Sequence, residues 1–244
     1  MSSPAYDKFA HFYNLYWGES FTDDAQEGLS NFVLPFLAPE ARVLDLCCGA
    51  GHMAAWLAAC GYEVTGLDIS KPMIELARDN APGVEFVVGD ATEFTFPEPF
   101  DAVVCVFDSV NHLPSGEEVQ EMFKSASRAL KPGGLFVFDI NTDRGFRFAA
   151  GETWAAVEAD HVCISKSQYD PGEGEAVSQI TLFRDDAGSW VRTDLEIHEY
   201  LYPPEEIVEA LMGAGFGEPD VLDGEEDFGM PRAEGRLFYV ARRL

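Results

Sequence analysis

The chain has 244 residues, of which 47% are hydrophobic, and it carries a formal net charge of −27 at pH 7. This length suits one domain, or a domain with a small insertion, and supplies enough apolar residues for a sizeable core. So acidic a surface repels phosphate backbones, and we therefore expect no nucleic-acid partner. No apolar run approaches the about 18 residues of a membrane span, and no signal-type leader is visible, so we expect a cytoplasmic protein without a membrane partner.

The cysteines stand at positions 47, 48, 60, 105 and 163, an odd number without the spacing of a metal site. We expect free thiols in a reducing compartment and no bound metal. The oligomeric state stays open between monomer and homodimer.

The first forty residues are predicted to be mostly helical, because aromatic residues such as Phe9, Phe12 and Tyr16 recur at helical spacing. A strand, a glycine turn, a helix and a second strand follow. The apolar run Val43 to Leu46 is typical of a buried parallel strand, and Gly49 lets the backbone turn close to a ligand. Such a β-α-β unit places a nucleotide-sized crevice above the strand ends.

The glycine turn also fits the G-x-G-x-x-[GA] pattern of dinucleotide binders, but that pattern alone is a weak signal. Asp45, at the end of the first strand, would repel a pyrophosphate and suits a ligand with a cationic amino-acid end, such as S-adenosylmethionine. Asp68, at the end of the second strand, is placed to accept hydrogen bonds from ribose hydroxyls. The alternative for Asp45 is that it merely caps the following turn.

On these residues, the chain resembles the class I S-adenosylmethionine-dependent methyltransferases. DLCCGAG stands where that family has D/E-x-G-x-G-x-G, with Cys47 replacing the first glycine. VTGLDISKPMIELAR, VVGDATEF, FDAVVCVFDSVNHL and LKPGGLFVFDI resemble the next four motifs in order, and YDKFAHFY resembles a segment that closes over the cofactor. The resemblance implies S-adenosylmethionine as cofactor, with these residues as its contacts: Tyr6, Tyr13, Asp45, Cys47, Gly49, Gly51, Asp68, Ile69, Met73, Gly89, Asp90, Ala91, Phe107 and Asp108.

Strands alternate with helices as far as residue 140, which predicts a parallel sheet covered on both faces. From Trp154 to Tyr202 the hydrophobic period changes to two, and two turn signals separate three runs, which predicts an inserted antiparallel meander. A helix over residues 203–212 and a strand over 237–241 follow, and the resemblance implies that this last strand is antiparallel.

The predicted fold is therefore an α/β, Rossmann-like, doubly wound, mostly parallel seven-stranded sheet with an antiparallel last strand and a small antiparallel β insertion. We expect four parts: an N-terminal helical cap at 1–40, a cofactor-binding core at 41–143, an inserted β substrate lid at 144–202, and a C-terminal part at 203–244 that completes the core.

Catalytic residues are harder to predict, because methyl transfer mainly requires in-line placement of the reacting atoms. An accepting hydroxyl or protonated amine also needs a base, for which His112 is a candidate. The alternative is a helix-edge histidine bonded to backbone. His198 and Tyr200 share one face of the last run of the meander, so they meet the substrate if that face lines the crevice and are packing residues if it does not.

The leading hypothesis is methyl transfer from S-adenosylmethionine to a nitrogen or oxygen of a small molecule. One alternative is a non-catalytic protein that binds S-adenosylmethionine or S-adenosylhomocysteine. A dinucleotide-dependent oxidoreductase is a less favoured one.

Overall fold

The computed structural model describes residues 4–244, so the first three residues of the predicted N-terminal cap lie outside it. Its strands are β1 Arg42–Leu46, β2 Glu63–Asp68, β3 Glu85–Val88, β4 Phe100–Cys105, β5 Leu130–Asn141, β6 Thr153–Val157, β7 His161–Asp170, β8 Glu175–Asp186, β9 Ser189–Tyr200, β10 Asp220–Asp223 and β11 Arg236–Arg242. Its α-helices are α1 Pro4–Tyr16, α2 Gly18–Phe32, α3 His52–Ala59, α4 Lys71–Asn80, α5 Gly116–Ala129, α6 Asp143–Ala149 and α7 Pro204–Gly213. Short 3-10 helices cover Leu34–Phe36 and Ser109–His112.

The larger sheet has seven strands in the order β10-β11-β5-β4-β1-β2-β3. Strands β1 to β5 pair in parallel, while β11 runs antiparallel to β5 and to β10. This arrangement confirms the predicted fold class. The strand order reverses between β1 and β4, and a crevice opens above the carboxyl ends of strands at such a point.

A separate antiparallel sheet has four strands in the order β6-β7-β8-β9. The sequence predicted three runs here, and β6 is the additional strand. It is short, mostly exposed and lies at the sheet edge, so its sequence carries little hydrophobic alternation. Within residues 4–244, no helix is long and apolar enough to cross a membrane.

Both faces of the larger sheet are buried. Val43 belongs to the apolar cluster under α2, α3 and α4, whereas its neighbour Leu44 belongs to the cluster under α5 and α7. This alternation explains why the β1 sequence is a continuous apolar run. Helix α1 packs Phe9 and Phe12 against Ile180 of the inserted sheet and so joins this sheet to the site.

Replacement of Phe123 by alanine should lower the free energy of unfolding by about 3–5 kcal/mol, because the cavity left in a close-packed core is not refilled. Phe123 is fully buried under the sheet, whereas Phe36 is 59% exposed. The matched substitution Phe36→Ala should cost about 1 kcal/mol or less, mainly through its contact with Arg242. Urea unfolding of both variants measures the difference, and equal losses would contradict the assigned core.

Candidate functional site

The loop after β1 turns through left-handed backbone. Cys47, Gly49 and Gly51 have φ values of 60°, 51° and 78°. A Cβ at Gly51 would lie 2.8 Å from the Cβ of Ala77, so only glycine fits there. Cys47 adopts the same region despite its side chain, at a cost of roughly 1–2 kcal/mol.

Asp68 holds this loop at the end of β2. One carboxylate oxygen accepts the amide hydrogen of Gly49 at 2.9 Å, and the other accepts that of Ser70 at 2.8 Å. Burial raises the pKa of Asp68, and the two amide hydrogens oppose that shift. The carboxylate therefore lies at the mouth of the crevice with fixed orientation.

Asp45 is a buried carboxylic acid on the floor of the crevice. Its side chain is 2% exposed, and among residues 4–244 nothing donates to its Oδ2 atom. Burial and the nearby charge of Asp68 raise the pKa of Asp45 to about 8. A cation bound beside it would satisfy this oxygen and favour the ionised form.

Helix α1 lies across the crevice and is tied to its walls. Tyr6 contacts His112 at 3.1 Å, Asp7 accepts a hydrogen bond from Ser70 at 2.7 Å, and Asn14 contacts His52 at 2.9 Å. The space left beside Asp45 and Tyr13 is ≈ 20 Å³. A site needs about 10–15 Å³ to hold one water molecule, so this space holds about one. An organic ligand therefore enters only if the surrounding segments shift.

The predicted adenine side lies around the ends of β2 and β3. Asp90 accepts hydrogen bonds from the amide and hydroxyl of Thr92 at 2.9 and 2.6 Å. The amide of Gly89 donates to the backbone oxygen of Asp68 at 3.0 Å. Met73 and Ala91 are buried, and Ile69 is half-buried beside Asp68. The structure thus brings the predicted cofactor residues that follow β1, β2 and β3 to the same edge of the sheet.

On the other side of the crevice, a charged network fixes the loop after β4. Phe107 and Asp108 have positive φ values of 67° and 47°. Their amides donate to Asp139 at 2.6 and 3.0 Å. Arg236 bonds to Asp139 with one nitrogen and to Asp108 with the other, the latter at 2.8 Å. These two carboxylates raise the pKa of Arg236 against the lowering effect of burial, so the guanidinium stays charged.

Two further side chains complete this network. The Asn141 amide donates to Asp108 at 2.6 Å and to Glu199 at 3.3 Å. His112 lies beside them, with its Nδ1 at 2.9 Å from the backbone oxygen of His198. One ligand-type atom from each of Asp108, His112 and Glu199 lies within 4.8 Å of the other two.

Of the predicted catalytic residues, only His112 points its side chain into this network. The His198 side chain lies on the outer face of β9 and pairs with Glu175 at 2.8 Å. Tyr200 packs beside the apolar cluster under α5.

Sequence reasoning missed Glu199, which lies on the inner face of β9. Leu195 and Ile197 are buried while their even-numbered neighbours on β9 are exposed, so the odd face is the inner one. It also missed Asn141, Asp139 and Arg236. Asp139 could have been noticed as an acid inside an otherwise apolar strand.

A cavity of ≈ 140 Å³, which we call the acceptor cavity, adjoins the network. Glu199, Asn141 and Arg236 form its polar wall. Helix α6, strands β7 and β8 and residues 232–234 form the rest. This volume is well above the about 10–15 Å³ that a site needs to hold one water molecule, so the cavity suits a small organic group.

Comparison with known proteins places this geometry in a family. The family described as "Methyltransferase domain" matches residues 43–134. YqeM of Bacillus subtilis, which is named as a methyltransferase, is 32% identical over 214 residues, covering 85% of this chain and 86% of that protein.

Two solved structures share the whole fold. An S-adenosylmethionine-dependent methyltransferase from Clostridium acetobutylicum has a TM-score of 0.75 at 22% identity and covers 98% of both chains. The sugar N-methyltransferase KedS8 from Streptoalloteichus has a TM-score of 0.79 at 24% identity and covers 95% of this chain and 93% of its own. At these identities the structures show the fold, while the more similar relative shows the family. The chain therefore belongs to the methyltransferases, as YqeM does, and it has the fold of an S-adenosylmethionine-dependent methyltransferase.

Proposed function

We propose that the enzyme transfers the methyl group to a nitrogen or oxygen of a small molecule held in the acceptor cavity. The cavity itself carries this proposal, because it is a small-molecule volume that adjoins the polar network at the crevice. The net charge of −27 favours such a substrate over a nucleic acid. The name of KedS8, a sugar N-methyltransferase, supports an acceptor of this size.

The crevice residues fit the cofactor. The unpaired Oδ2 of Asp45 requires a donor or cation, and the α-amino group of S-adenosylmethionine is both. Asp68 is placed for the ribose hydroxyls. Tyr6 and Tyr13 line the methionine side from α1, and Phe107 and Asp108 line it from the loop after β4.

Each group of residues then has one task. S-adenosylmethionine supplies a methyl group on a positively charged sulfur, which is already a good leaving group. The chain must hold the acceptor atom in line with that methyl and exclude water. Helix α1 covers the reacting groups, and the inserted sheet closes the acceptor cavity.

A thermal melt provides the first test. S-adenosylhomocysteine at ~100 times its dissociation constant should add about 2.7 kcal/mol of stability and raise the melting temperature, because it binds only the folded protein. NAD at the same concentration is the control and should leave the melting temperature unchanged. A shift with NAD alone would contradict the assigned crevice. Formation of S-adenosylhomocysteine with small amines or hydroxyl compounds then tests turnover, and failure with all of them would contradict the proposed substrate class.

Asp45→Asn should alter the pH dependence of the melting temperature and weaken the binding of S-adenosylhomocysteine. The folded-state pKa of Asp45, about 8, lies above the unfolded value, so its contribution favours folding at low pH and is lost as pH rises through about 8. The wild type should therefore lose stability as pH rises toward about 8, whereas the melting temperature of the unliganded variant should lack this dependence. Its shift with S-adenosylhomocysteine should shrink, because an amide does not carry the charge that the α-amino group needs. A full shift in the variant would remove Asp45 from the cofactor site.

Asp68→Ala should weaken S-adenosylhomocysteine binding by roughly 1–3 kcal/mol, because the ribose hydroxyls lose a charged acceptor. The amides of Gly49 and Ser70 also lose their partner. Calorimetric titration measures the change. Asp79→Ala, at an exposed aspartate of α4, is the matched control and should bind like the wild type.

A further inference from the structure

We propose that Glu199 accepts the proton of a protonated amine bound in the acceptor cavity and so frees the nitrogen to attack the methyl group. This inference rests on the proposed function, because it requires methyl transfer in that cavity. It narrows the acceptor to an amine and assigns a catalytic residue that lies on the inserted sheet.

The position of Glu199 supports this role. Its side chain lines the acceptor cavity. One oxygen, Oε1, accepts a weak hydrogen bond from Asn141 at 3.3 Å. Within the part of the chain that the structure describes, no protein group donates to its Oε2. This oxygen is therefore available to a substrate N–H group.

The charges around the cavity favour a cation. Four charged side chains line it, those of Glu199, Glu234, Arg232 and Arg236. Arg232 pairs with Glu152, Glu234 pairs with Arg144, and Arg236 pairs with Asp108 and Asp139. Arg236 is engaged by the two aspartates, so Glu199 has no cation of its own. An ammonium group bound in the cavity beside Glu199 would compensate the charge of this carboxylate. A neutral hydroxyl would not.

The titration of Glu199 is consistent with this position. Burial and the charge of Asp108 raise the pKa of Glu199 to about 7, and His112, Asn141 and Arg236 oppose that shift. Burial and nearby charges, including that of Glu199, raise the pKa of the Tyr6 hydroxyl on α1. A general base works best when its pKa lies near the operating pH.

His112 is less suited to accept the proton. A backbone oxygen only accepts hydrogen bonds, so the contact with His198 means that Nδ1 of His112 carries a hydrogen. The remaining nitrogen, Nε2, then accepts the hydroxyl hydrogen of Tyr6 at 3.1 Å. Both nitrogens are engaged, which makes His112 a positioning residue that anchors α1 over the site.

The reaction balances as follows. The Glu199 carboxylate takes a proton from R–NH3+, giving a neutral carboxylic acid and R–NH2. The nitrogen lone pair forms the N–CH3 bond while the C–S bond of the donor breaks and its electron pair stays on sulfur. The products are R–NH2+–CH3 and S-adenosylhomocysteine, and the Glu199 proton leaves to solvent.

The test uses matched acceptor pairs that differ only in an amine or a hydroxyl: glucosamine and glucose, cyclohexylamine and cyclohexanol, glycine and glycolic acid. S-adenosylhomocysteine formation is measured from about pH 5.5 to 9.5 for wild type, Glu199→Gln, Glu199→Asp and His112→Asn. Glu196→Gln is the control, because Glu196 lies on the same strand with its side chain 53% exposed on the outer face. Calorimetric titration with S-adenosylhomocysteine accompanies every variant.

We expect wild type to methylate amines and not their hydroxyl partners, with a rate that rises through about pH 7. Glu199→Gln should lose about 10²-fold or more in turnover at pH 7 and lose that inflection. Its deficit should shrink at high pH, where the amine is already neutral. Glu199→Asp should recover part of the rate. His112→Asn should be slower but keep the inflection, and Glu196→Gln should match wild type. Cofactor affinity should be unchanged in both Glu199 variants.

Several results would overturn the proposal. One is an inflection that survives in Glu199→Gln and disappears in His112→Asn. Another is activity that EDTA abolishes and Mn²⁺ restores, which would make Asp108, His112 and Glu199 a cation site. Methylation of the hydroxyl compounds alone would overturn this inference and leave the proposed function intact. Binding of S-adenosylhomocysteine with no methylation of either set would overturn both.

Discussion

One buried guanidinium, that of Arg236, joins parts of the chain that are far apart in sequence. It bonds to Asp108 and Asp139, and Asp139 also accepts the amides of residues 107 and 108. Removal of one partner from a buried ion pair costs about 3–5 kcal/mol, because it leaves an uncompensated charge. Arg236 therefore fixes the left-handed loop after β4 against β5 and β11. Phe107 of that loop lines the crevice, and Arg236 itself lines the acceptor cavity.

Beyond this pairing, Asp45 and Glu199 are acids for which residues 4–244 supply no ion-pair partner. Asp45 lies on the crevice floor, and Glu199 lies on the wall of the acceptor cavity. Burial raises the pKa of both carboxyls. In our proposal each bound molecule supplies the missing positive charge, the cofactor through its α-amino group and the acceptor through its ammonium group. Recognition would then come from the compensation of buried negative charge, which is strong only where water is excluded.

Local sequence signals predicted most of the fold. The apolar run of β1 and the glycine turn each act within a few residues, so they can be identified without the fold. Strand β6, strand β10 and helix α6 were missed. They are short and largely exposed, and contacts with distant segments decide their structure, as for α6, whose Gly145 lies against the backbone of residues 234 and 235.

The sequence by itself determined the fold class and the family, and it predicted the cofactor side of the site, because those residues lie in one β-α-β unit and the loops that follow its neighbouring strands. Only the tertiary structure decided the acceptor side. The period of a strand shows which residues share a face but not where that face points. Packing of Leu195 and Ile197 against α1 turns the odd face of β9 inward. That rotation brings Glu199, and not the side chain of His198, to the wall of the acceptor cavity.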